Sequence, residues 1–117
     1  MLPEELKLLF HPVFSRTAAQ KVYLFGSHAR GEADDASDVD LAIVAESQRP
    51  FVERFKDYFE VITACPVAIE ILVYTPEEFE AMRERESPFV LRILEEGKII
   101  YERSEPRSRP LAQPGRK

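Results

Sequence analysis

The segment 22–44, VYLFGSHARGEADDASDVDLAIV, decides the fold, because it places two β-rich runs on either side of a polar connection. Val22–Phe25 stops at a glycine and predicts a first strand. Asp38–Val44 predicts a second strand, in which Asp38 and Asp40 share one face and the alternating apolar residues share the other. Antiparallel pairing of these strands would bring the end of the first beside the start of the second.

The connection opens with Gly26-Ser27, directly after the first strand. A strand that ends in Gly-Ser and enters a helical turn offers backbone N–H groups and a hydroxyl to an anion such as phosphate. An ordinary turn is the alternative for such a pair. Arg30 is a candidate phosphate contact, and a salt bridge to a neighbouring acidic residue is the equal alternative. His28 is interpreted as solvent-exposed rather than catalytic.

Three carboxylates are candidates for metal binding. Asp38 and Asp40 converge on one face, which is costly for like charges unless a cation lies between them, and hard oxygen ligands suit Mg²⁺. A solvated acidic strand end is the alternative. Glu70 interrupts the apolar run 67–74, which predicts a further strand. This glutamate either belongs to an edge strand or a salt bridge, or is a third carboxylate that faces the aspartate pair.

The rest of the chain predicts an α/β (α+β) domain, a small sheet flanked by helices. Helices are expected to start at Pro3, Pro50, Thr75 and Ser87, and Lys98–Tyr101 is expected to be an edge strand. Pro12 should kink or end the first helix, or start a second short one. The second helix should bury an apolar stripe consisting of Phe51, Phe55, Tyr58, Phe59 and Ile62.

Length and charge bound the function. The 117 residues suit one domain, expected over 1–102, and the single Cys65 excludes an internal disulfide. Residues up to Glu102 carry 11 basic and 20 acidic side chains, which argues against nucleic acid as a direct partner. Residues 103–117 are basic and contain three prolines, so a disordered tail is expected there. An acidic N-terminus and the lack of a long apolar run indicate a cytoplasmic protein without a membrane span.

The segments 25–31 (FGSHARG) and 37–43 (SDVDLAI) together resemble the signature of the minimal nucleotidyltransferases, the smallest members of the DNA polymerase β-like nucleotidyltransferase superfamily. The resemblance implies a short mixed sheet flanked by helices, and transfer of a nucleoside monophosphate from a nucleotide such as ATP with two Mg²⁺ ions. It further implies that Gly26 and Ser27 hold the triphosphate. Asp38 and Asp40 would bind both metals, with Glu70 as a third carboxylate at a position where aspartate is common.

The resemblance also implies an acceptor. Stand-alone members are often antitoxins that pair with a HEPN-type ribonuclease toxin and transfer AMP to a tyrosine of that toxin, which gives a hetero-oligomer as the expected assembly. Two alternatives stay open at this point. One is a non-catalytic binding module that neutralises a partner by contact. The other is a nucleotidyltransferase that acts on a small hydroxyl compound of the antibiotic type.

Overall fold

The computed structural model describes residues 2–34 and 37–103, which form a four-stranded mixed sheet with helices on both faces. The strands are β1 (Ala19–Phe25), β2 (Val39–Ala45), β3 (Ile69–Tyr74) and β4 (Lys98–Glu102). The helices are α1 (Pro3–Phe14), α2 (Ser27–Arg30), a 3₁₀ helix (Phe51–Tyr58) that continues as α3 (Phe59–Ala64), α4 (Pro76–Glu84) and α5 (Pro88–Glu96). The predicted α/β fold is therefore confirmed.

The sheet has the order β3-β2-β1-β4. β1 runs antiparallel to β2, as predicted, and the pairing sets Phe25 opposite Asp40. β2 runs parallel to β3, and the pairing sets Asp40 opposite Glu70. Parallel neighbours need a crossover connection, which the 3₁₀ helix and α3 provide. The strand order thus brings the end of β1 and the starts of β2 and β3 to one end of the sheet.

Each face of the sheet has its own apolar core. One core packs alternate residues of β1 and β2, such as Leu24 and Leu41, against α1 and α3. The other packs Tyr23 and Ala42 against α4 and α5. Because side chains alternate along a strand, Asp40 lies on the same face as Ala42, towards α4 and α5.

The first helix continues through Pro12 to Phe14, so the predicted helix end or new helix start at Pro12 was wrong. Pro12 lies in the last turn of α1, where the lost backbone donor affects only one hydrogen bond. The helix continues because Val13 and Phe14 are buried in the core and reach it only from a helical turn. The Ser15 hydroxyl donates to the Pro12 carbonyl and closes the helix end.

The apolar stripe predicted for the second helix is mostly on the surface. Phe51, Phe55 and Phe59 are 42%, 38% and 55% exposed, whereas Tyr58 is buried. The face of this segment that points into the protein differs from the predicted one, because Arg54 is turned inward and its side chain is only 9% exposed. The three phenylalanines are called the phenylalanine face below.

Arg54 joins the crossover segment to β3 and to the start of α4. Its guanidinium donates to the Val73 carbonyl (3.1 Å) and to both carboxylate oxygens of Glu78 (2.6 and 3.1 Å). Glu78 also accepts from the backbone of Thr75, the predicted N-cap residue, so the predicted capping box is present. The hydrogen bond from Arg54 is the main reason that the pKa of Glu78 is lowered.

We expect Arg54→Met to lower the free energy of unfolding by about 2 kcal/mol, because a buried carbonyl and a carboxylate lose their donor. The stabilisation from the lowered pKa of Glu78 is present above that group's ordinary pKa and is lost as the pH falls through the folded-state value. Urea unfolding should therefore show that the wild type loses stability as the pH falls, whereas Arg54→Met lacks this loss. Arg49→Met is the matched control, because Arg49 forms an exposed pair with Asp57; an equal loss in both variants would contradict the assignment.

The basic segment predicted as a tail starts with an anchored residue. Arg103 donates to the carbonyls of Thr17 (2.6 Å) and Ala19 (3.1 Å) next to β1. The remainder of the predicted tail, 104–117, lies outside the described residues. Within 2–34 and 37–103, no helix combines the length and apolar character that crossing a membrane requires.

Candidate active site

Gly26 turns the chain from β1 into α2 with a backbone that favours glycine, at φ +77°. Its carbonyl accepts from the amides of Ala29 (3.1 Å) and Arg30 (3.2 Å), which fixes the short helical turn that starts at Ser27. This is the Gly-Ser turn that the sequence predicts as a phosphate site. The structure places it at the end of β1, beside the carboxylates.

The close approach between Gly26 and Asp40 leaves no room for a side chain. A Cβ on Gly26 would lie 2.3 Å from Oδ2 of Asp40, far inside van der Waals contact. The predicted phosphate loop and the predicted metal ligand are therefore in direct contact. A nucleotide phosphate seated on Gly26 would lie next to the Asp40 carboxylate.

The three predicted carboxylates act on one another. Burial raises the pKa of Asp40, the charge and hydrogen bond of Glu70 raise it further, and so does the charge of Asp38. Asp40 is half-buried, while Asp38 and Glu70 are exposed. Such mutual repulsion is relieved when a cation is bound, so the electrostatics suit a positively charged ligand.

Glu70 combines two of the interpretations that the sequence left open. It lies on an edge strand, β3, and it is also opposite Asp40 in the parallel register. In the part of the chain that the structure describes, Glu70 has no arginine or lysine partner in an ion pair. The salt-bridge interpretation is therefore not the arrangement found among the described residues.

The donor set suits Mg²⁺ held jointly by protein and substrate. Asp38, Asp40 and Glu70 supply hard carboxylate oxygens, and Mg²⁺ is usually bound by one or two carboxylates together with phosphates and water. Residues 2–34 and 37–103 contain no group of three or more His, Cys, Asp or Glu side chains already arranged as a metal cage.

Arg30 takes the salt-bridge alternative in the structure. Its Nε lies 3.0 Å from the Glu32 carboxylate, and its Nη1 lies 3.9 Å from Glu96. Its charge also acts on Asp40, so it is near the carboxylates. Contact with a phosphate stays a prediction for this residue, because it would require Arg30 to exchange Glu32 for the ligand.

His28 is buried, with 3% of its surface exposed, so the prediction of a solvent-exposed histidine was wrong. It lies in α2, and its Nε2 is 3.2 Å from the Ser37 carbonyl oxygen. The helix has only four residues, too few for a hydrophobic period to reveal which side faces inward. No signal in the sequence could therefore have identified this contact.

Two of the three candidate carboxylates, Asp38 and Glu70, are exposed at the surface. A cavity of about 590 Å³ lies near the opposite end of the sheet, between β1 and α4, and is lined by residues such as Lys21, Tyr23 and Phe79. It contains none of the six predicted site residues. The carboxylates of Asp38 and Glu70 are therefore accessible from the surface.

Two comparisons find proteins of related sequence. Residues 11–106 match the family model described as "Polymerase beta, Nucleotidyltransferase". The chain is 31% identical over 93 residues to a "putative protein adenylyltransferase" of Methanocaldococcus jannaschii, which covers 74% of this chain and 82% of the relative.

Solved structures share the fold at low sequence identity. A crystal structure of a toxin-antitoxin with AMP-PNP superposes with a TM-score of 0.58 and 17% identity, over 89% of this chain and 76% of that chain. A "putative minimal nucleotidyltransferase" superposes with a TM-score of 0.57 and 24% identity, over 84% of this chain and 95% of the other. At these identities the likeness shows the fold alone.

Proposed function

Because the chain belongs to the polymerase beta nucleotidyltransferase family, we propose that it is a Mg²⁺-dependent adenylyltransferase that moves AMP from ATP to a hydroxyl of a partner protein. The acceptor we propose is a tyrosine of a HEPN-type toxin, with this chain as the antitoxin of the pair. The observation that carries the proposal is the contact of the Gly26 turn with Asp40, which is itself opposite Glu70. Phosphate, metal and acceptor functions meet at that point.

In the proposed reaction, the acceptor oxygen bonds to the α-phosphorus of ATP while the bond to pyrophosphate breaks. Bound Mg²⁺ would neutralise the phosphate charge and stabilise the leaving pyrophosphate. Gly26 and Ser27 would hold the triphosphate through backbone N–H groups and the hydroxyl, and Asp38 and Asp40 would hold the metal. Glu70 would accept the acceptor's proton at a carboxylate oxygen, or orient the hydroxyl by a hydrogen bond.

A protein acceptor is supported by three observations. The curated relative is named as an adenylyltransferase that acts on protein, and the AMP-PNP neighbour is a toxin-antitoxin. The carboxylates of Asp38 and Glu70 are exposed at the candidate site, where a large acceptor can approach them. Residues up to Glu102 carry a net charge of −9, which repels a nucleic-acid acceptor.

The test is to purify the chain with a HEPN-type partner, add ATP and Mg²⁺, and measure the intact mass of both chains. We expect the partner to gain the mass of AMP on a tyrosine, and no gain when EDTA is present. If the mass of the partner stays unchanged in the presence of ATP and Mg²⁺, the proposal is overturned. Replacing ATP by GTP, CTP or UTP in the same assay measures the nucleotide preference.

The phenylalanine face favours a second candidate, neutralisation of the partner by contact alone. Exposed aromatic side chains in a row are typical of protein–protein contact surfaces. Phe55→Ser with Phe59→Ser should then release the partner and remove protection, whereas loss of the carboxylates should not. Under the catalytic proposal, loss of the carboxylates removes protection as well.

A separate prediction concerns Glu70. Glu70→Gln keeps the shape but removes the proton-accepting carboxylate, so we expect kcat to fall about 10²-fold or more. Glu70→Asp should keep part of the activity, because it restores the carboxylate with one methylene fewer. Steady-state kinetics with intact-mass detection measures both variants.

The matched control for this prediction is Glu102→Gln. Glu102 is also exposed and on an edge strand, β4, but it pairs with Lys21 (3.3 Å) at the other edge of the sheet. We expect its kcat to match the wild type. Equal kcat values for Glu70→Gln and the wild type would assign Glu70 a structural role.

A further inference from the structure

We infer that His28 is a positioning residue that couples the phosphate turn to the metal-binding strand, through its hydrogen bond to the Ser37 carbonyl. The inference rests on the proposed function, since it assigns a role to a side chain that lies between the phosphate turn and the metal-binding strand. His28 itself touches neither the nucleotide nor the acceptor in this scheme. It acts through the backbone that carries Asp38.

The location of His28 is the first observation. It directly follows Ser27 in α2, so its backbone belongs to the phosphate turn. Its side chain is one of two buried polar or charged side chains among the described residues, the other being Arg54. A polar ring is seldom buried without a specific hydrogen-bond partner, because the lost hydration must be replaced.

The partner atom is the second observation. Nε2 of His28 lies 3.2 Å from the carbonyl oxygen of Ser37. A carbonyl oxygen only accepts, so Nε2 carries the hydrogen and donates it. That carbonyl belongs to the peptide that joins Ser37 to Asp38, and a fixed peptide plane fixes the direction in which the Asp38 Cα leaves the loop.

The surroundings of Ser37 show why this bond is needed. The Ser37 amide and hydroxyl bond to Asp34, at 3.1 Å each, and the Asp34 amide bonds back to the Ser37 hydroxyl at 3.0 Å. On the other side, the Val39 amide donates to the Ala68 carbonyl of the segment before β3 (2.9 Å). Asp38 therefore lies between a loop turn and the sheet. His28 is the link that ties this junction to the phosphate turn.

The consequence is that the distance between the phosphate turn and the proposed metal ligand Asp38 stays fixed. An apolar ring at position 28 would fill the same space but leave the Ser37 peptide free to rotate. Residues that hold a metal ligand in place typically affect metal affinity by about 10- to 100-fold when they are replaced. We expect the metal affinity to depend on the hydrogen bond, and the fold to depend mainly on the buried volume.

The experiment compares His28→Phe, which keeps a buried ring without a donor, with His28→Gln, whose amide nitrogen can reach the position of Nε2. Mn²⁺ binding is followed by electron paramagnetic resonance in the presence of ATP, and folding by thermal unfolding. We expect His28→Phe to bind Mn²⁺ about tenfold more weakly, and His28→Gln to recover most of the wild-type affinity. His11→Phe is the matched control, because His11 is exposed and rests on Tyr101 away from the site.

Three results would overturn the inference: wild-type Mn²⁺ affinity in His28→Phe, an equal loss in both His28 variants, or a wild-type chain that does not bind Mn²⁺. If His28→Phe does not fold, nitrogen-15 NMR of the wild type decides instead. A protonated Nε2 with a scalar coupling to the Ser37 carbonyl is expected, and an unprotonated Nε2 would contradict the proposal. A wild type that binds Mn²⁺ but transfers no AMP refutes the proposed function and leaves this inference standing.

Discussion

Replacing Asp38 and Asp40 together by asparagine is expected to lower AMP transfer by about 10³-fold or more, because the phosphate charge would lose its bound cations. Asparagine keeps the volume and removes only the negative charge. The measurement is the initial rate of AMP transfer at saturating Mg²⁺ and ATP. Retention of more than a tenth of the wild-type rate would show that these carboxylates do not hold the metal.

The same variant should remain folded, which separates loss of chemistry from loss of structure. The pKa of Asp40 is raised by burial and by the charges of Glu70 and Asp38, so its ionised form is disfavoured in the folded chain without metal. Removing that charge should leave the melting temperature in EDTA unchanged or higher. A lower melting temperature would contradict the repulsion that the structure shows.

The double variant also distinguishes the two candidate functions. If the chain protects cells by modifying a toxin, the asparagine variant should fail to protect them although it still binds the partner. If the phenylalanine face acts alone, the variant should protect as well as the wild type. Cell growth with the induced partner, together with co-purification of the two chains, gives both results.

Gly26→Ala should lower the rate of AMP transfer by about 10²-fold, since small displacements of positioned groups have effects of that size. The new Cβ would lie 2.3 Å from Oδ2 of Asp40, so either the Asp40 carboxylate or the phosphate turn must move. The backbone at φ +77° adds strain of about 1–2 kcal/mol for a residue with a side chain. Transfer rate and thermal unfolding are measured on the same sample.

Gly31→Ala is the control for a positive φ without the collision. Gly31 has a similar φ of +73°, but a Cβ there meets nothing within 4 Å. Gly26→Ala should lose more stability than Gly31→Ala, because the Gly26 backbone (ψ −157°) lies in a region that only glycine adopts readily, whereas Gly31 (ψ +22°) is left-handed helical. Only Gly26→Ala should lose most of its activity. Equal activity losses would mean that strain, rather than the collision with Asp40, is responsible.

The local part of the fold could be predicted from the sequence. The Gly-Ser turn and the Asp-X-Asp strand fall within one short segment, so their antiparallel pairing follows from proximity along the chain. The helix starts are coded locally, by a capping box at Thr75 and by a proline that directly follows both Thr75 and Ser87. The structure confirms these elements, although β1 begins at Ala19, three residues before the predicted start at Val22.

The remaining features depend on contacts between distant segments. The alignment of Glu70 with Asp40 arises from a parallel pairing that no local pattern specifies. The phenylalanine face was expected to be buried. Instead Arg54 faces inward, because it donates hydrogen bonds to Val73 on β3 and Glu78 on α4, and this orientation leaves the phenylalanines on the surface. His28 was expected to be exposed because its partner, the Ser37 carbonyl, is a backbone atom with no signature in the sequence.

The position of β3 at the edge of the sheet affects the order in which the parts of the candidate site form during folding and are lost on partial unfolding. The turn at Gly26 and the Asp40 strand pair through contacts that are short along the chain, whereas Glu70 joins only after the crossover segment has closed. Edge strands open more readily than central ones. Partial opening of β3 would therefore first remove Glu70, the proposed proton acceptor, and leave the proposed nucleotide-binding turn in place.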